Sequence, residues 1–96
     1  MPRENSALSR ALGQLLTAIQ REETRAVGSA DWLVTHAVLG RAERLYWAGK
    51  TRGLDTTLGR GSVGEYLGLA WISAHPRVLP AVQQIEGQLR DVAEQA

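Results

Sequence analysis

The sequence predicts an all-α fold, drawn as a compact four-helix bundle-like domain with a Gly-rich central connector. Three observations predict it. Apolar residues recur at helical spacings in four successive segments. Glycines, prolines and capping residues stand between those segments. And 96 residues suit one domain, residues 1–96, which buries roughly two thirds of the surface exposed by the unfolded chain.

The first segment runs from about Ser6 to Val27, with Leu8, Leu12, Leu15 and Ile19 on one stripe, thickened by Ala11 and Leu16. This is the pattern of an amphipathic helix. Gly28 stands where a left-handed C-cap residue would stop it, and Ser29 with Asp31 supplies the polar start of the next helix. So short a turn predicts two helices side by side.

The second segment covers about Ala30 to Ala48. Its apolar arc holds Trp32, Val34, Ala37, Val38, Leu39, Ala42, Leu45 and Tyr46. An arc that wide is expected of a helix packed on two neighbours. Arg41 falls inside it, which calls either for a carbonyl or carboxylate partner or for a stem that snorkels to an edge. Leu33 and Trp47 fall on the opposite side, among His36, Glu43 and Arg44.

The stretch "GKTRGLDTTLGRG", residues 49–61, is the connector, and Ser62 with Glu65 then forms the two halves of a capping box. A third helix is predicted from about Val63 to Ala74. Gly64 and Gly68 lie within it at a cost of about 1 kcal/mol each relative to Ala, which points to close approach by a neighbouring helix. "HPRVLP" ends that helix, since Pro76 pushes His75 out of the α region and Pro80 lacks an N–H. The last helix begins between the two prolines. Its stripe of Val78, Val82, Ile85, Leu89 and Val92 matches that of the first helix, and Glu86, Arg90 and Glu94 form a charge ladder outside it.

Composition narrows the function classes. Eleven Lys and Arg against ten Asp and Glu leave a net charge of +1, so no global field demands a nucleic acid or an anionic membrane. Any electrostatic role is local. Ten of the eleven cations are Arg, the bias of a GC-rich, bacterial genome. No cysteine is present, which rules out disulfides and thiolate chemistry and leaves the cytoplasm as the default location. No apolar run approaches the ~20 residues of a membrane span, and the mixed-sign start "MPRENSALSR" does not read as a signal peptide.

Gly49, Lys50 and Thr51 imitate the end of a phosphate-binding P-loop, but Arg44 stands where its first glycine belongs and a helix precedes it. A helix-turn-helix reading of residues 62–86 places Pro76 and Pro80 inside the recognition helix. Both readings are set aside. Trp47, Ala48 and Gly49 at mid-chain look like the Trp-x-Gly turn of the small helical-hairpin substrates of type VII secretion. That likeness covers three residues, and no Tyr after Tyr66 supplies the export pattern of those substrates, so no membership follows.

Catalysis has little to stand on. His36 shares a helix face with Glu43, but a solvated polar face accounts for both residues, and two histidines without repeated carboxylate spacing make no metal site. The expectation is a non-enzymatic helical interaction module without a cofactor, a homodimer or small homo-oligomer able to engage a protein partner. The candidate binding residues are Arg41, Trp47, Lys50, Arg52, Arg60, Tyr66 and Trp71. In the alternative, Lys50, Arg52 and Arg60 hold a small ligand or anion at the connector between walls made by Trp47, Tyr66 and Trp71. A weak nucleic-acid-binding accessory role is a further alternative, from the surplus of cations between Arg41 and Arg60 and a stacking Trp47.

Overall fold

A computed structural model describes residues 6–51, 57–59 and 61–95, and the side chains of residues 7–50, 57–59 and 61–90. Within these residues the protein is all-α and contains no strand. Its radius of gyration of 13.3 Å is that of a compact chain of this length.

Helix α1 (Ser6–Ala26) turns its Leu8, Leu12, Leu15 and Ile19 stripe inward, leaving no more than 7% of any of these residues accessible. Each such side chain contributes roughly 1.5 to 3 kcal/mol on full burial. The helix stops at Gly28, whose φ of +84° is the left-handed conformation that a Cβ disfavours. Ser29 then bridges the turn, its Oγ donating to the Ala26 carbonyl at 2.7 Å and accepting from the Asp31 N–H at 3.2 Å. Helix α2 (Trp32–Thr51) runs back along α1. Glu23 meets His36 at one end of the pair, and Gly13 meets Tyr46 towards the other.

Helix α2 extends three residues beyond the expected end and takes in Gly49, Lys50 and Thr51. Trp47, Ala48 and Gly49 are therefore helical and form no turn. Gly49 serves packing: a Cβ there would run into Leu12 Cδ1 of α1. Residues 52–56 and 60, part of the expected connector, lie outside the described residues.

The expected third helix is two. Helix α3 (Val63–Leu67) starts on the full capping box, with the Glu65 N–H donating to Ser62 Oγ at 3.1 Å and the Ser62 N–H to Glu65 Oε1 at 2.8 Å. At Gly68, with φ +118° and ψ +106°, the backbone leaves the helix, and α4 (Leu69–Ala74) follows. Gly68 is thus a breaker, and no helix presses on it. Gly64 does the packing, since a Cβ there would meet Leu69 Cδ2 at 3.1 Å.

Helix α5 (Leu79–Gln95) begins between the two prolines as expected and lies against α1. Val78, Val82 and Ile85 join Leu8, Leu12, Leu15 and Ile19 of α1 in one core with Val38, Ala42 and Leu45 of α2 and Val63, Leu67, Trp71 and Ile72. The stripes of the first and last helices therefore meet within one chain. Five helices stand among the described residues where the sequence predicts four.

Candidate functional site

The five described residues among the seven singled out from sequence do not all lie together. Arg52 and Arg60 lie outside the described residues. Trp71 is buried, its Nε1 donating at 2.9 Å to Thr35 Oγ1 near the start of α2. Trp47 is 62% exposed near the other end of that helix, twelve residues from Thr35 or about 18 Å along the axis. The two indoles cannot wall one pocket. Tyr66 is half-buried against the core, and the exposed Arg41 reaches over the protein edge to donate from Nη1 to the Leu67 carbonyl at 3.2 Å. Arg41 therefore has both a snorkelled stem and a carbonyl partner, here the last carbonyl of α3, where a cation is favoured. Lys50 Nζ stands 4.9 Å from the Tyr46 ring centroid, and the same ring meets Trp47 edge-on at 5.6 Å. Lys50 and Trp47 thus share one neighbourhood around Tyr46.

Trp71 belongs to a polar network instead. Thr35, with 0% exposure, accepts from Trp71 and passes its own proton to Asp31 Oδ2 at 2.9 Å. The same carboxylate oxygen lies 2.9 Å from His75 Nε2, and His75 Nδ1 lies 2.8 Å from the Trp71 carbonyl. Both ring nitrogens thus face acceptors. An imidazolium satisfies both, while the neutral ring donates from one nitrogen only. His75 also stacks on Trp71 with centroids 4.2 Å apart, and His36 stacks on Trp32 at 4.9 Å. His36 pairs with Glu23 of α1. These two Trp, His and carboxylate groups tie α1, α2 and α4 together. Among the described residues no cluster of three potential ligands could hold a metal.

Among the described residues the large apolar side chains left exposed are Val27, Leu69 and Leu79, each on a different element, and Leu33, Val34 and Trp47 on α2. Leu33 is 72% exposed, and Ala37, Arg44 and Trp47 follow it on one stripe, with the partly exposed Gly40 at the middle. A methyl added at Gly40 would meet nothing within 4 Å. The sequence reading places Leu33 and Trp47 on this side but assigns Ala37 to the buried arc, and it also assigns Val34 there, which is 54% exposed. The missed signal is a second 4, 3, 4, 3 spacing through residues 33, 37, 40, 44 and 47, hidden because the helix is apolar on two sides. A separate hollow of about 460 Å³ beside the connector is lined by Leu58, Ser62, Val63, Glu86, Leu89 and others, and by none of the expected aromatic walls.

No known family model, curated protein or solved structure matches this chain. No helix among the described residues is long and apolar enough to cross a membrane.

Proposed function

We propose that this protein is a non-enzymatic helical interaction module, a single domain that self-associates through the outer face of α2. One observation carries the reading: the stripe Leu33, Ala37, Gly40, Arg44 and Trp47 is exposed and is nearly symmetric about Gly40. Leu33 and Trp47 stand seven residues to either side of it. A second copy laid antiparallel, with the two-fold axis at Gly40, sets each Leu33 against the Trp47 of the other copy. Such an isologous pairing is the commonest route to a homodimer.

Gly40 supports this further. A mid-helix glycine costs about 1 kcal/mol relative to Ala, and none of the described residues comes within 4 Å of a methyl placed there. Close approach by a helix from outside is a physical reason for it to be there. The patch is small, because one exposed Trp offers on the order of 150 Å². The dimer belongs to the weak end of the interface range, open to exchange with another helical partner.

Sedimentation equilibrium over a hundredfold concentration range tests this. The native chain is expected to pass from monomer to dimer, whereas Trp47→Ser and Gly40→Gln remain monomeric with unchanged far-UV circular dichroism. A monomer throughout, at up to millimolar concentration, would refute the proposal.

A further inference from the structure

We propose that the notch between the last turns of α1 and the start of α5 binds a phosphate group, free or carried on a small metabolite. Its walls are Ala18, Arg21, Glu22, Arg25 and Arg77, around a space of about 110 Å³. At about 30 Å³ per water, that is the room of roughly four waters, the size of one tetrahedral anion.

The charge in the notch is unbalanced. Glu22 is 9% exposed, and its Oε2 accepts from Arg25 Nη1 at 2.7 Å, which fixes that guanidinium at the rim. Arg25 has a further reason for its place, since the last turn of a helix favours a cation. Neither reason applies to the other two. Arg21 lies more than a turn from the end of α1 and Arg77 comes from the segment before α5, and among the described residues no carboxylate pairs with either. Three guanidiniums and one carboxylate leave a local surplus of two positive charges, gathered in a concavity against their own repulsion.

A phosphate dianion cancels that surplus. Guanidinium forks match its oxygens two at a time, which a single point charge such as chloride cannot exploit. Hydroxyl and amide groups of Thr17, Gln20 and Thr24 line an adjoining hollow that also borders Arg21 and Arg25, so the remainder of a phosphate ester finds hydrogen-bonding groups beside the notch. The buried Glu22 limits affinity and sets the orientation of Arg25.

The test is a titration with inorganic phosphate and with glycerol phosphate at constant ionic strength, followed by the arginine Nε–H resonances, with sodium chloride as the reference. Saturable shifts confined to Arg21, Arg25 and Arg77 are expected. Tighter binding of the ester than of phosphate identifies a metabolite as the ligand, and equal binding identifies the anion alone. Arg21→Gln and Arg77→Gln should each weaken binding about tenfold, as for loss of one charge-assisted contact. Arg21→Lys keeps the charge without the fork and should fall between, while Arg44→Gln on α2 should change nothing. Shifts equal to those from chloride, or unchanged binding by a folded double Gln variant, would overturn the proposal. Because the α2 stripe shares none of these residues, either outcome leaves the self-association test unaffected.

Discussion

At the scale of the residue, Thr35 determines more than any charged group. It is fully buried on the apolar side of α2, in line with Val38, Leu39 and Ala42, and it is tolerated there because its hydroxyl both accepts from Trp71 and donates to Asp31. Thr35→Val keeps the shape and strands the indole N–H, so it should lower stability by about 1 to 3 kcal/mol. Thr35→Ser keeps the oxygen and should cost less than Val. Urea unfolding midpoints of the two variants separate the hydrogen bond from the packing, and equal losses would show that the bond is immaterial. Gly68 is the second such residue: its φ of +118° is open to glycine and closed to almost all else. Gly68→Ala should cost on the order of 1 to 3 kcal/mol in thermal unfolding, although there is space for the methyl, whose nearest neighbour is 3.9 Å away.

At the scale of the element, local signals were read directly. The capping box at Ser62 and Glu65, the glycine stop after α1 and the proline-delimited start of α5 all rest on interactions within a few residues, which sequence order reports without knowledge of the fold. Ser62→Ala should remove one cap bond and cost about 1 kcal/mol, measurable as a lower melting temperature. Gly40 allows the opposite prediction. Since a methyl there meets nothing within 4 Å among the described residues, Gly40→Ala should stabilise the monomer by about 0.5 to 1 kcal/mol in urea unfolding at micromolar concentration. A loss of stability would mean that α2 is constrained there by something the folded chain does not show. The break between α3 and α4 was not legible, because a glycine four residues from another at helical spacing reads equally as a packing site or as a stop.

At the scale of the whole molecule, the stripes of α1 and α5 meet inside one core from Leu8 to Ile19 and from Val78 to Ile85. The proposed self-association uses the outer side of α2 instead. Trp71 is sequestered and Trp47 is open, so fluorescence quenching by acrylamide should report the two differently. Quenching is expected to decline as the protein is concentrated, and Trp47→Phe should abolish that dependence while leaving the protected fraction intact. A dependence that survives Trp47→Phe would place the contact elsewhere on the surface.

The sequence by itself determined that the chain is helical, where most helices begin and end, and which stripes of α1 and α5 are buried, because periodicity and capping are properties of neighbours within a turn or two. Only the tertiary structure decided which sides of α2 face outward, that Trp71 joins Thr35, Asp31 and His75 rather than Trp47, and that three arginines meet around Glu22. Those outcomes depend on how helices dock against one another. A helix that is apolar on two sides states that it has two faces to cover, and only its neighbours in space select the one that remains open.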